Sequence, residues 1–152
     1  RAPALLPDFD PQQLSLTAWA LSRCHEESPP LLGAALRHAT MRDATSFLPQ
    51  SLCLLAWVCA VNTDAGLAPV RRQLMPRLAV ESARQLADFS PNQLAMAAIA
   101  FGKHLARYPE LKSPATAVCF SEELLGRVAA AATPALDTLS DLDAAKLAWG
   151  FA

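Results

Sequence analysis

Two clusters of cationic side chains stand out as groups that could do chemistry. Arg71, Arg72, Arg77 and Arg84 occupy one short stretch together with Glu81. Lys103, His104, Arg107 and Lys112 form a second cluster close by in sequence. Guanidinium and ammonium groups at this density suit phosphate oxygens, which they hold in place without reading base identity. Arg77 and Arg84 are seven residues apart and therefore share a helix face. Such a face meets phosphates or is simply solvated. A third group carries amides: Gln12, Gln50 and Asn92. A side-chain amide both donates and accepts, so it can address the edge of an unpaired base. No Ser/His/Asp grouping, catalytic carboxylate pair or phosphate-binding glycine loop is present, and the chain has only five glycines. Glu26-Glu27 and Glu122-Glu123 fall near helix boundaries and read as solvated. No enzymatic activity, cofactor or small-molecule substrate is expected.

The cysteines point the same way. Cys24, Cys53, Cys59 and Cys119 form no C-x-x-C pair. His25 adjoins Cys24, but adjacent helical residues do not face one metal, so no zinc site is expected. Cys53 and Cys59 lie in an apolar run and suit small buried groups. Reduced thiols fit an intracellular compartment. The ten-residue apolar run Leu52–Val61 is half of the roughly 20 residues a membrane span needs. Net charge is −1, which argues against a free-standing nonspecific nucleic-acid binder. The balance is uneven, however: −1 over residues 1–59, +3 over 60–112 and −3 over 113–152.

The elements that must carry these groups follow from composition and repetition. Of 152 residues, 53% are hydrophobic; 31 are Ala and 25 Leu, against six Val and one Ile. Ala and Leu favour helix, and β-branched residues are the usual strand material. The chain is therefore expected to be all-α, a single domain over 1–152.

Four segments share one frame, opening at Phe9, Phe47, Phe89 and Leu139. Proline stands two residues later in the first three (Pro11, Pro49, Pro91), and leucine five later (Leu14, Leu52, Leu94). Alanine stands nine later in all four, at Ala18, Ala56, Ala98 and Ala148. A large apolar residue follows it: Trp19, Trp57, Ile99 and Trp149. The openers are separated by 38, 42 and 50 residues. Proline at the first helical position costs no useful hydrogen bond. Asp10 with Gln13, and Ser90 with Gln93, have the spacing of capping boxes, and the opening Phe can staple the first turn. Each segment is then apolar nearly all round, as befits a helix packed between others.

Three more amphipathic stretches lie between these helices: Pro30–Arg42, Pro69–Ala87 with Pro76 kinking or restarting it, and Ser121–Leu139 interrupted by Pro134. The stretch from Gly102 to Phe120, with Pro109 and Pro114, reads as a long connection, an ordered loop or a short helix plus loop, bearing the second basic cluster. Helix pairs in this order predict an α-solenoid of about four irregular repeats. Arg1 at the start suggests a removed presequence or a piece of something longer. The absence of a partner helix after Phe151 suggests an array that continues, or one completed by another subunit.

Phe9-Asp-Pro-Gln-Gln-Leu and Leu147-Ala-Trp-Gly-Phe-Ala resemble the octotricopeptide and heptatricopeptide repeats, whose consensus runs Pro-Gln-x-Leu and then Leu/Ala-Trp-Ala. The resemblance spans most of the chain. It departs at Ile99, where Trp is usual, and in the fourth unit, which lacks the Pro-Gln pair. No RNA-binding RAP domain, with which FAST-kinase-like relatives end, is visible. The resemblance implies an α-solenoid that binds organellar RNA in mitochondrion or plastid, most plausibly as a ribonucleoprotein element of a mitochondrial ribosome contacting rRNA and protein subunits. Arg71, Arg72, Arg77, Arg84, Lys103, His104, Arg107 and Lys112 would then meet phosphates. Gln12, Gln50 and Asn92 would meet bases. The tryptophans, at a fixed position in each unit, are expected in the core. A protein–protein scaffold in a large organellar complex is the alternative.

Overall fold

In a computed structural model, which describes residues 5–24, 29–108 and 119–152, the chain is helical with no strand among those residues. Seven α-helices are described: α1 Pro11–Arg23, α2 Pro29–Met41, α3 Pro49–Val61, α4 Ala68–Arg84, α5 Pro91–Arg107, α6 Cys119–Ala132 and α7 Asp141–Phe151. The odd-numbered helices are the four aligned segments, and the even-numbered ones lie between them.

The starts of the odd helices follow from local chemistry. Asp10 accepts from the Gln13 amide at 2.7 Å, and Gln13 Oε1 accepts from the Asp10 N–H at 3.0 Å. Ser90 and Gln93 make the same reciprocal pair before α5. Two of the orphan N–H groups of each helix are thereby satisfied. α3 has no side-chain cap and relies on Pro49 at its first turn. Ser140 caps α7 through the Asp143 amide. Phe47 and Phe89 are buried, and Phe9 packs on the core from its edge.

Contacts between helices run in register. α1 touches α3, α3 touches α5 and α5 touches α7, while α2 touches α4 and α4 touches α6; each odd helix also packs on the even helix that follows it, as far as α6. The seam between the two sets is the core. Leu14, Ala18, Leu52, Ala56, Leu94 and Ala98, the leucines and alanines of the aligned frame, are all buried in it. Burying a leucine side chain contributes on the order of 2 kcal/mol, so the repeated Leu and Ala positions supply much of the cohesion.

Polar contacts repeat along the same direction. Ser15 Oγ lies 3.0 Å from Ser51 Oγ, and Cys53 Sγ 3.4 Å from the Gln93 carbonyl oxygen. In both, the residue six after one opener meets the residue four after the next. On the even side Arg77 donates to the carbonyls of Thr40 and Arg42, and Arg127 donates to that of Ala83 at 2.7 Å. Both arginines stand twelve before the next opener. Each meets the carbonyls at the end of the preceding even helix, where cations are favoured.

Glycine decides the spacing of α5 and α7. A Cβ on Gly102 would overlap the Gly150 carbonyl oxygen, and one on Gly150 would stand 2.5 Å from the Ala98 carbonyl carbon. Only bare backbone allows this approach.

Pro76 does not restart its helix, Pro134 interrupts as the sequence predicts, and the end of α5 differs from the expectation. Pro76 sits inside a continuous α4; the packing that buries Leu74, Met75, Leu78 and Ala79 offsets its missing hydrogen bond. Pro134 ends α6, and the chain continues as a 3-10 helix over Thr133–Thr138. α5 runs on to Arg107, so Lys103, His104 and Arg107 are helical and do not belong to a connecting loop.

Candidate nucleic-acid interface

The odd helices share one stripe away from the seam, open to solvent along its first row and on α1 and much of α7, but covered at Leu54 on α3 and Ile99 on α5. Residues three, seven, ten and fourteen after each opener fall within a narrow angular stripe of a 3.6-residue helix, on the side opposite the buried Leu and Ala. The first row holds Gln12, Gln50 and Asn92, all exposed, and then Leu142. The second holds Leu16, Leu54, Met96 and Lys146. The third is Trp19, Trp57, Ile99 and Trp149. The fourth has Arg23, Val61 and Lys103.

The three amides are free of the capping task, which Gln13 and Gln93 perform in α1 and α5. Asn92 accepts from Lys146 Nζ at 3.4 Å, linking the first turns of α5 and α7. Lys146 also pairs with Asp143 at 2.6 Å. This hydrogen bond, with a second from Ser140, holds the Asp143 carboxyl below its ordinary pKa.

The tryptophans correct the core expectation. Trp149 is 55% exposed, Trp19 is 37% exposed and Trp57 is half-buried. The row lies opposite the seam, and its members meet unlike environments: Trp19 and Trp149 stand in solvent, Trp57 is half-buried and Ile99 is buried. Two cations approach three of its members. Arg23 lies 5.9 Å from the Trp19 ring centroid, and Lys103 Nζ lies 5.3 Å from that of Trp57 and 4.2 Å from that of Trp149. Partial burial, with the nearby Arg107 charge, lowers the Lys103 pKa from its ordinary value.

The two basic clusters do not merge into one surface. Arg71 is 3% exposed; its guanidinium donates to the carbonyls of Asn62 at 2.7 Å and Asp64 at 2.9 Å, and to the Tyr108 hydroxyl at 3.1 Å. Arg107 donates to the same Asn62 carbonyl at 2.8 Å, so members of the two clusters meet at the C-terminal end of α3. His104 is buried, with its ring 5.0 Å from that of Tyr108. Arg77 is occupied at the end of α2. Arg72 and Arg84 are exposed on α4, and Arg84 pairs with Glu81 at 3.3 Å. Lys112 lies outside the described residues.

Arg23 and Lys146 were not among the sequence candidates for RNA contact. Both share the exposed face with the amides. Their place in the aligned frame, one turn from the Trp position, was the signal available.

The described residues contain no group of three or more His, Cys, Asp and Glu placed to hold a metal, and no described helix is long and apolar enough to cross a membrane. Burial pushes the Cys53 and Cys59 thiols up to about 12, so both stay protonated. No family model, curated protein or solved structure matches the chain.

Proposed function

We propose that this chain is an α-solenoid of stacked helix pairs that binds single-stranded RNA along the exposed face of its odd helices. The observation that carries the reading is the row Gln12, Gln50 and Asn92: three exposed amides at equivalent first-turn positions of successive neighbouring helices. Helices packed side by side are about 8–10 Å apart, so the row offers base edges a donor–acceptor group at each step. Arg23, Lys103 and Lys146 on the same face supply charge for the phosphates. Arg71, Arg77 and His104 belong to the scaffold in this reading, and Arg72 and Arg84 face away on α4. The resemblance to organellar repeat proteins extends the proposal to a mitochondrial or plastid setting and to a structural place beside rRNA in a mitochondrial ribosome.

Fluorescence anisotropy with labelled single-stranded RNA tests it. Three neutralised phosphates give a log–log salt slope of about −2. Arg23→Glu with Lys103→Glu should flatten the slope. Gln12→Ala, Gln50→Ala and Asn92→Ala together should weaken binding while leaving the slope in place, since amides release no counterions. No salt-dependent affinity, and no response to charge reversal, would establish the protein–protein scaffold instead.

A further inference from the structure

One groove, of about 300 Å³, is lined by positions that the other units keep covered. Ala144, Ala148 and Phe151 of α7 form one wall; Ala129, Ala132 and Leu136 form the other. The α7 residues stand five, nine and twelve after their opener. Their counterparts Leu52, Ala56 and Cys59 in α3, and Leu94, Ala98 and Phe101 in α5, are buried. In α7 the two alanines are exposed and Phe151 is 44% exposed. Leu136 stands three before its opener. Leu6 and Leu86 hold the same position and are buried, whereas Leu136 is 53% exposed. One kind of element does the covering elsewhere. α1, α3 and α5 each pack on the even helix that follows. The 3-10 turns Leu6–Asp8, Ala44–Ser46 and Leu86–Asp88 touch that same helix, α2, α4 and α6 in turn. No even helix follows α7 among the described residues.

The even helices show what fits such a seat. Leu74 and Leu124, Leu78 and Val128 one turn on, and Ser82 and Ala132 a further turn on occupy matching positions of α4 and α6. All six are buried. Arg77 and Arg127 precede the middle pair, and each donates to carbonyls at the end of the even helix before it. We propose that the groove seats one amphipathic helix of a partner protein, bearing the pattern Leu-x-x-Arg-Leu/Val-x-x-x-small. Its apolar stripe, at four-residue spacing on one face, covers Ala144, Ala148 and Phe151. Its arginine meets the carbonyls at the end of α6, near Ala132 and Thr133, where cations are favoured. Charge selects the same guest. The segment framing the groove, residues 133–148, carries Asp137, Asp141 and Asp143 against Lys146 alone. That field attracts an arginine-bearing helix and repels phosphate. The groove lies on the seam side of α7, away from the stripe of Trp149, so the inference stands apart from the RNA reading.

The test titrates the whole chain with a labelled peptide of the sequence of residues 120–136, which carries the pattern. Anisotropy should show saturable binding, and the amide resonances of Ala144, Ala148 and Phe151 should shift. Ala148→Arg fills the groove from an exposed position and should weaken binding about tenfold or more. Ala145→Arg, exposed but outside the lining, should leave it unchanged. In the peptide, Leu124→Glu should abolish binding and Arg127→Glu should weaken it. Circular dichroism would verify that both chain variants stay helical. No saturable binding, or binding indifferent to Ala148→Arg, overturns the proposal. So do shifts confined to α4 and α5, which would mean that the peptide displaces α6. A dimer of the chain in sedimentation that Ala148→Arg dissociates and the peptide leaves intact makes the occupant a second copy. Displacement of the peptide by single-stranded RNA, with shifts at the same resonances, overturns the choice of a protein helix.

Discussion

Arg71 and Arg72 are neighbours in sequence with opposite duties. Arg71 ties the segment after α3 to Tyr108 by three hydrogen bonds from a buried guanidinium, two to the Asn62 and Asp64 carbonyls and one to the Tyr108 hydroxyl, and Arg72 stands in solvent. Arg71→Ala should cost about 1–3 kcal/mol in a urea unfolding experiment, because the Asp64 carbonyl and the Tyr108 hydroxyl lose their donor while Asn62 keeps Arg107. Arg72→Ala should stay within about 0.5 kcal/mol of the parent. The thiols divide in the same manner. Cys24 is exposed, whereas burial holds Cys53 and Cys59 near 12. Alkylation near pH 8 should modify Cys24 while Cys53 and Cys59 react only after denaturation, as peptide mass mapping would show. In the native protein raising the pH from 7 to 9 leaves the two buried thiols neutral, so it should not expose them to reagent.

At the scale of elements, the α5–α7 contact depends on two glycines facing each other's backbone. Gly102→Ala puts a methyl group into the Gly150 carbonyl, and Gly150→Ala puts one into the backbone at Ala98 and Ile99. Backbone cannot give way as a flexible side chain would. Either change should destabilise by about 1–3 kcal/mol and lift Trp149 from Lys103, read as a shift in tryptophan emission. The capping boxes were legible in advance, because Asp10 with Gln13 and Ser90 with Gln93 satisfy donors within one turn. The end of α5 was not. Nothing local at Gly102 stops a helix, and only burial of His104 and Leu105 against the neighbouring elements carries it to Arg107.

For the whole molecule, order of contact sets local stability. α3 is buried over most of its length between α1, α5 and α4, while α7 has exposed Ala144, Ala145 and Ala148 on its flank. Amide exchange should therefore be slowest in α3 and fastest in α7, with a difference that grows towards the chain's last turn. Uniform exchange across the helices would contradict this gradient.

Composition and the recurring Phe, Pro, Leu and Ala determined by themselves that the chain is helical and where four helices begin; these depend on helix propensity and caps within a few turns. Tertiary structure alone decided which cations are spent inside. Arg71 and Arg77 look no different from Arg72 in the sequence, yet they end on carbonyls at or just past the ends of other helices, seven to thirty-seven residues away. It also decided that Trp19 and Trp149 face outward while Ile99 at the equivalent position is covered, since a repeated position does not specify whether water or protein fills the space beside it. Contacts between distant helices supply that choice.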